Sequence, residues 1–424
     1  MKKILLPLTL IFMHLMSVAQ PAANDSAVLG NAYRNDVYYS MQSGTVATVP
    51  GNNWHIAFAM RNAKPPMDVM RSTTILVNES RNTELYKSTQ TNWVNFDSTG
   101  YKTWNRPHNS DTSWDVGAFN ADYITSSNPF FYGWGTYSQQ THHIEGNGLI
   151  YLVRLTKTVN NVPMDSAFKK IRINRLLFDT QWVFTIANLD GSDSNTVTIN
   201  KKDFAGKLFA YYNMVSNTVI DREPTNWDLL FTRYATFITQ FGQTIFSNTT
   251  GILQHPTTET AEVWGVFEDS AKVKNANYSQ KMNTIGTDWK INPGPGQPLF
   301  VMEDSLTYFV KLNNNRQYRL NFRSFSGSST GTITFYKKQE VDFVGLFERN
   351  VNTPSIKLFP NPASQSVQVS LGSTISTVQF FDITGQLKLE TLGSGNMTID
   401  ISSLKPGIYF VQTEGFKTSR LVVE

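Results

Sequence analysis

The sequence predicts an all-β protein, and three observations support this prediction. Short segments rich in Val, Ile, Thr, Tyr and Phe recur along the chain, for example at 148–155, 181–189, 306–312 and 331–337. Clusters of turn-forming residues, such as DGSDSN and SGSSTG, separate these segments. Helical periodicity is scarce, and residues 268–282 are the best candidate for a helix.

Length and composition narrow the classes of protein. A chain of 424 residues has room for two or three domains. Its formal net charge is only +4, which gives no electrostatic reason to expect a nucleic acid or an anionic membrane as partner. The absence of cysteine excludes disulfides, Cys-based metal sites and thiol catalysis.

The first 19 residues have the pattern of an export signal. MKK supplies the positive charges, ILLPLTLIFMHLM is the apolar stretch, and SVAQ offers small residues for cleavage. The apolar stretch is short for a membrane span, and no other segment reaches 18 apolar residues, so no transmembrane helix is expected. A buried N-terminal helix is the alternative interpretation. We therefore expect a signal peptide at 1–19 and an exported protein.

One stretch of sequence occurs twice. YYSMQSGTVATVPGNNWHIAFAM, from Tyr38, and YYNMVSNTVIDREPTNWDLLFTR, from Tyr211, align without a gap at an offset of 173 residues. They share nine identities over 23 positions, whereas ordinary residue frequencies give about one or two by chance. The chain therefore contains an internal repeat.

The similarity between the copies extends beyond this stretch. Trp114 corresponds to Trp289, IYLVRL (150–155) to TYFVKL (307–312), and NTVTIN (195–200) to GTITFY (331–336). We therefore predict two tandem β-rich domains, at 27–200 and 205–342. A linker at 343–354 and a C-terminal domain at 355–424 follow.

The second copy resembles a known family. FAYYNMVSNTVIDREPTNWDLLFTRY, followed by IGTDWK and YFVKLNNNRQYRLNFRSFSGSSTG, resembles the HmuY family of secreted β-rich proteins of Bacteroidetes. The first copy is a weaker match. The resemblance implies two HmuY-like β domains and a haemophore-like function, in which a pair of His or Met side chains ligates the haem iron.

The last 70 residues resemble the type A C-terminal sorting domain of the type IX secretion system. The motifs are FPNPA, D-x-x-G-Q in DITGQ, L-x-x-G-I-Y-F-V, and a basic residue before a final apolar strand. The alternation of apolar residues in VQVSL, IYFV and RLVV by itself predicts a small immunoglobulin-like β-sandwich, and a module without a sorting role is the alternative. The resemblance implies that residues 355–424 bind the type IX machinery, and that the protein is released or displayed on the cell surface.

The positions of the family's haem ligands hold other residues in this chain. One ligand position lies five residues after the matching Trp, which is Gly294 in the second copy and Phe119 in the first. The other falls near Val263. None of these side chains ligates iron, so the family's ligand pair is not carried over.

Four residues are substitute candidates for haem ligands: Met282, Met302, His142 and His143. The two histidines are adjacent, and neighbouring residues on a strand point to opposite faces, so only one of them can enter a given site. Core packing is the alternative role for the methionines, and a surface turn is the alternative for the histidines.

The aromatic residues that recur in both copies are predicted to be core. They are Tyr38, Tyr39, Trp54, Tyr211, Tyr212 and Trp227. Rings at the same places in two copies suit a packed sandwich, because each buries a large area. A stacking platform for a sugar or a porphyrin is the alternative.

No enzyme motif is present, and the sequence predicts neither catalytic residues nor a metal site. The leading hypothesis is a non-enzymatic, secreted or cell-surface protein that binds haem, another small hydrophobic ligand or a surface glycan. A structural or adhesive surface protein is the first alternative, and a hydrolase with an unrecognised site is the second.

Overall fold

The computed structural model describes residues 23–63, 69–159, 162–240, 242–265, 270–291, 300–340, 355–370, 376–413 and 416–424. The predicted signal peptide at 1–19 and the predicted linker at 343–354 lie outside these residues. The chain divides into two compact units, one ending at Glu340 and the other starting at Val341. Nearly all the regular structure is strand, so the all-β prediction is confirmed.

The larger unit contains both copies of the repeat. The strands of the first copy are Ala23–Val28 (β1), Asn35–Ser40 (β2), Gly44–Pro50 (β3), Ile56–Ala59 (β4), Ile75–Val77 (β5), Thr83–Lys87 (β6), Gly135–Ser138 (β7), His143–Gly146 (β8), Tyr151–Val159 (β9), Val162–Leu177 (β10) and Gln181–Asn188 (β11). Those of the second are Asn195–Asn200 (β12), Phe209–Asn213 (β13), Thr218–Ile220 (β14), Leu229–Gln240 (β15), Gln243–Gln254 (β16), Glu259–Trp264 (β17), Lys290–Ile291 (β18), Val301–Met302 (β19), Leu306–Lys311 (β20), Gln317–Phe325 (β21) and Thr332–Glu340 (β22).

Helical structure is limited to short segments. Met70–Thr73 is a single α-helical turn, and the described 3-10 segments are Asn31–Tyr33, Glu79–Arg81, Tyr101–Thr103, Ala118–Thr125, Lys201–Phe204 and Val273–Asn275. The helix predicted at 268–282 was wrong for its described part, 270–282, where only the last of these segments occurs. The backbone of Ser279 exchanges two hydrogen bonds with Thr260 of β17, at 2.8 and 3.1 Å. Pairing with a sheet edge therefore replaces helical hydrogen bonds there.

The two copies exchange strands. One four-stranded sheet has the order β16-β15-β2-β3, and a second has the order β14-β13-β4-β5. Each sheet contains two strands from each copy, and every pairing in both sheets is antiparallel. The strand β2 occupies in one sheet the place that β13 occupies in the other. The copies are therefore related by an approximate two-fold axis and are intertwined.

Two further sheets follow the same rule. One runs β1-β22-β21-β20-β17, and the other has β12, β11, β10, β9 and β6 in the same relation. The edge strand β1, from the start of the first copy, pairs with β22, the last strand of the second copy. The edge strand β12, from the start of the second copy, pairs with β11, the last strand of the first. By its sheet position, NTVTIN in β12 is equivalent to β1, and not to GTITFY as the sequence comparison had placed it.

The repeated aromatic residues meet at the approximate two-fold axis. The hydroxyl oxygens of Tyr38 and Tyr211 lie 3.4 Å apart. The ring of Tyr38 packs edge-on against Trp227 at 5.3 Å, and the ring of Tyr211 packs edge-on against Trp54 at 5.0 Å. Tyr38 and Tyr211 are buried. The rings of the duplicated motif thus form the contact between the copies.

The main apolar cores lie behind these central sheets. One core contains Phe58, Trp134 and Trp182, all fully buried. The other combines Tyr39 of the first copy with Phe335 of the second. This second core cannot be completed by one copy alone, because its residues come from both.

The smaller unit is a β-sandwich, as the sequence predicted. Its strands are Lys357–Phe359 (β23), Ser366–Ser370 (β24), Ser376–Asp382 (β25), Leu387–Gly393 (β26), Asn396–Asp400 (β27), Gly407–Gln412 (β28) and Ser419–Val423 (β29). They form a three-stranded sheet, β23-β24-β27, and a four-stranded sheet, β26-β25-β28-β29. Val367, Phe380 and Val411 are fully buried in its core.

Replacing Phe231 by Ala tests the shared core. Phe231 lies on β15 of the second copy and is fully buried, with its ring 5.7 Å from Tyr39 of the first copy. Its truncation is expected to lower the free energy of unfolding by about 3–5 kcal/mol. Phe237 on the same strand is 51% exposed, and Phe237→Ala is expected to cost less than about 1 kcal/mol. Urea unfolding of both variants measures the difference, and equal losses would contradict the shared core.

Candidate functional site

A cavity of about 100 Å³ lies at the junction of the two copies. Its lining includes Tyr38, Trp54, Trp114, Tyr211 and Met282. The cavity is therefore lined by several of the duplicated aromatic residues, and it has a methionine in its wall. Its volume is below the range of about 300–1,000 Å³ that binding sites for small organic ligands occupy.

A buried charge cluster crosses this junction. Both carboxylate oxygens of Asp36 are engaged: one accepts from Arg222 Nη2 at 2.7 Å, and the other from Arg81 Nη2 at 3.2 Å and Thr232 Oγ1 at 2.7 Å. Burial alone would raise the pKa of Asp36, but Arg222 and Arg81 hold it below its ordinary value. The cluster joins strands of different copies, so its role is to fix their register.

The second buried carboxylate of the junction is also satisfied. Glu223 accepts hydrogen bonds from the backbone N–H groups of Leu208 (2.9 Å) and Phe209 (3.1 Å), and from Trp227 Nε1 (3.1 Å). Burial raises the pKa of Glu223 to about 7, although these donors oppose the shift. It fastens the start of β13 to the segment before β15. The small cavity and these saturated carboxylates make the junction a structural core.

His55 in the first copy and Asp228 in the second occupy equivalent positions and accept equivalent hydrogen bonds, one through an imidazole and the other through a carboxylate. His55 Nδ1 accepts a hydrogen bond from the N–H of Met214 at 3.0 Å, whereas Asp228 Oδ2 accepts one from the N–H of Met41 at 2.7 Å. Burial lowers the pKa of His55 to about 4, in agreement with a neutral ring that accepts through Nδ1. These contacts give His55 a structural role.

The four substitute candidates for haem ligands lie in different places. Met282 is buried at the junction, and Met302 packs against the core that contains Trp289. His142 lines a separate groove of about 490 Å³, and His143 lies beside it, with its ring 4.1 Å from Phe178. Met282 lines the junction cavity and His142 lines the separate groove, so these two side chains face different openings. The haem site stays a prediction.

The positions that match the family's ligand sites are also accounted for. Phe119 and Val263 are buried in apolar clusters, and Gly294 lies outside the described residues. Within the part of the chain that the structure describes, no group of three or more His, Asp or Glu side chains is arranged to hold a metal ion.

An opening of about 900 Å³ lies on the larger unit. Both copies contribute cationic side chains to its wall: Arg61, Arg71, Lys201, Lys202 and Lys207. The carboxylate in the wall is Asp179. Two further carboxylates lie in ion pairs with these cations, because Arg61 pairs with Asp115 and Lys207 pairs with Asp221. Cationic side chains thus outnumber carboxylates among the described residues of the wall, and we call this opening the basic cleft.

Lys201 is buried in the floor of the basic cleft. Its ammonium group donates to Asp179, to the carbonyl of Arg61 at 3.0 Å and to the carbonyl of Ser72 at 2.9 Å. Burial lowers its pKa to about 8; Asp179 opposes this shift, and Arg61 and Arg71 add to it. The positive side chains are therefore close enough to repel one another.

His255 contributes a neutral ring to the same wall. Burial lowers its pKa to about 4, and the charge of Arg61 adds to the shift. Its Nδ1 lies 2.7 Å from Thr257 Oγ1 and accepts from the N–H of Thr257 at 3.2 Å. The cleft is thus positive, with neutral polar groups at its edge.

Sequence reasoning did not find the basic cleft. The pair Lys201-Lys202 directly after β12 was a local signal, since two lysines follow an alternating strand there. Arg61, Arg71 and His255 are distant from it in sequence. They reach the cleft only because the copies exchange strands.

Comparison with known proteins shows which family of domains the C-terminal unit matches. Residues 357–424 match the family of secretion system C-terminal sorting domains. This match implies a secreted or cell-surface protein and an interaction with the type IX secretion machinery. No helix in the described residues is long and apolar enough to cross a membrane.

The other two comparisons are less informative. No curated protein matches the chain. Among solved structures, the crystal structure of apo PinO from Porphyromonas gingivitis is similar at 8% sequence identity, covering 75% of this chain and 97% of that chain. The TM-score is 0.23, too low to support an argument about fold or ligand. Membership of the HmuY family therefore stays a prediction.

The half-buried histidine His55 should make stability depend on pH. Its folded pKa of about 4 lies below its ordinary value of 6.5, so its contribution is full above pH 6.5 and is lost as the pH falls through about 4. In His55→Asn, an amide oxygen can accept the same N–H without taking up a proton. We expect a smaller loss of unfolding free energy over this pH range in the variant. Urea titrations at several pH values measure it, and unchanged slopes would refute this role of His55.

Proposed function

We propose that the protein is an exported binding protein that holds a small anionic ligand in the basic cleft without catalysing a reaction. The observation that carries the proposal is the cleft itself, whose volume of about 900 Å³ suits a small organic ligand. Its export would begin with the signal predicted at 1–19 and end with the sorting domain. Release or attachment at the cell surface would follow.

The charge of the cleft supports an anion as ligand. Of its cations, Lys202 is exposed and makes no ion pair with any described residue. Arg61 and Arg71 act on the buried Lys201 through repulsion, which lowers its pKa. An anion placed among these groups would relieve that repulsion and raise the pKa of Lys201 again.

Two features favour binding over catalysis. The buried carboxylates Asp36 and Glu223, whose pKa values shift in opposite directions, are saturated by hydrogen bonds at the junction of the copies. Neither lines the basic cleft. The cleft offers cations and amides, a set that orients and neutralises an anion.

A tetrapyrrole with carboxylate side chains belongs to the proposed class of ligand. Haemin therefore stands beside citrate and tripolyphosphate as a probe of the cleft. The haem version of the proposal would require an iron ligand from a residue other than the matched family positions.

Calorimetric titration of the full chain with citrate, tripolyphosphate and haemin tests the proposal. We expect at least one of them to bind, with affinity that falls as salt is added, because ions screen the charges. Lys202→Glu should weaken binding about fivefold to tenfold, since an exposed charge pair is worth up to about 1 kcal/mol and the reversal adds repulsion. Binding at pH 8 should be accompanied by proton uptake, as the pKa of Lys201 rises from about 8.

The matched control is Lys102→Glu. Lys102 is exposed and lies outside the lining of the basic cleft, so this variant changes the net charge equally without altering the cleft. Equal losses in both variants would show only a general effect of charge. No binding of any of the three anions at low salt would overturn the proposal.

A further inference from the structure

We propose that the ligand of the basic cleft is an acidic oligosaccharide whose sugar rings lie on exposed aromatic side chains of the adjoining groove. This inference rests on the proposed function and adds the chemical class of the ligand. Its evidence is the groove that His142 lines, which we call the aromatic groove.

The aromatic groove has a volume of about 490 Å³ and an exposed aromatic wall. Phe130 and Phe178 are 43% and 62% exposed. The ring of Phe130 stacks on Tyr137 at 6.0 Å with an interplanar angle of 28°. The hydroxyl of Tyr137 lies 2.9 Å from His142 Nδ1. Apolar faces and hydrogen-bonding groups therefore alternate along one surface.

The aromatic groove and the basic cleft share a wall. Asp179 lines both, and it follows Phe178 in the turn between β10 and β11. Its carboxylate pairs with Lys201 and accepts the N–H of Ala63 at 2.6 Å. The turn thus presents an aromatic ring to the groove and anchors its next residue in the cleft. One ligand can contact both sides of this turn.

The shared turn holds two residues at positive φ angles. Phe178 and Asp179 both have positive φ angles, of 45° and 56°. A bulky side chain at positive φ is unfavourable, and Gly or Asn is the usual residue there. The ring of Phe178 is mostly exposed, so little burial offsets the strain. The β10–β11 hairpin turn, closed by the hydrogen bond from the N–H of Thr180 to the carbonyl of Leu177 at 2.7 Å, requires these angles and holds the ring at the groove.

An acidic oligosaccharide matches this combination of surfaces. The C–H face of a pyranose ring is apolar and lies flat against an exposed aromatic ring, as other apolar groups do. Its hydroxyl groups can bond to Tyr137 and His142 at the groove. Carboxylate or sulfate groups on a neighbouring sugar would meet Lys202 in the cleft. A compact anion would use only the second half of this surface.

The test compares three probes on the full chain. They are a heparin-derived tetrasaccharide, with rings and charge, inorganic tripolyphosphate, with charge alone, and maltotetraose, with rings alone. We expect the tetrasaccharide to bind more tightly than either of the others. Phe178→Asn should weaken it about threefold to tenfold, the loss expected for one aromatic contact. The affinity for tripolyphosphate should not change.

The same variant distinguishes binding from folding. Phe178→Asn should raise the thermal midpoint, because Asn tolerates positive φ, while it lowers the affinity for the saccharide. Lys202→Glu should weaken both charged probes. If tripolyphosphate binds but Phe178→Asn leaves the tetrasaccharide unaffected, this inference fails and the proposed function survives. If neither charged probe binds, this inference fails, and the proposed function fails too when citrate and haemin also do not bind.

Discussion

The pairing of strands between the two copies is the constraint on which the larger unit depends. Backbone hydrogen bonds join β2 to β15 and β4 to β13, so neither central sheet belongs to a single copy. This pairing brings Tyr38 and Tyr211 together and builds the core in which Tyr39 meets Phe335. It also forms the basic cleft, since Arg61 comes from one copy and Lys201 from the other.

Buried polar groups reinforce the exchange. Asp36 of the first copy holds Arg222 and Thr232 of the second in fully buried hydrogen bonds. Buried charges of this kind contribute little net stability, but a wrong pairing would leave them unpaired at a high cost. A one-residue shift of β2 against β15 would move Tyr38 to the face that Tyr39 now occupies, and Tyr39 to the face of Tyr38. The residues that the two copies share are therefore those that determine how one copy pairs with the other.

Differences between the copies are concentrated away from the axis. The strands β15 and β16 are each 12 residues long, whereas their counterparts β4 and β5 have four and three residues. The segment after β5 and β6 in the first copy carries the strands β7 and β8 and the aromatic groove. The pair Lys201-Lys202 directly follows β12, whereas Leu29-Gly30 directly follows β1. Function is thus assigned to what the copies do not share.

The sequence was sufficient for the strand pattern, the aromatic core and the sorting domain. Val, Ile and Tyr at alternating positions report local burial, and FPNPA with DITGQ is a specific set of motifs. The exchange of strands could not be predicted from the sequence. A strand that pairs within its own copy and one that pairs with the other copy show the same alternation of apolar and polar residues. NTVTIN illustrates this, because it pairs with the preceding strand β11, as a hairpin within one copy would, yet its sheet position is equivalent to that of β1. The basic cleft depends on the same long-range arrangement.

The most direct test of the exchange is to produce residues 23–190 and 195–340 as separate fragments. Each fragment carries half of both central sheets, so each alone should show no cooperative thermal unfolding by circular dichroism. Mixing them in equal amounts should restore a single cooperative transition with the tryptophan fluorescence of the intact unit. A cooperative transition in either isolated fragment would contradict the account, because it would mean that one copy completes its own sheets.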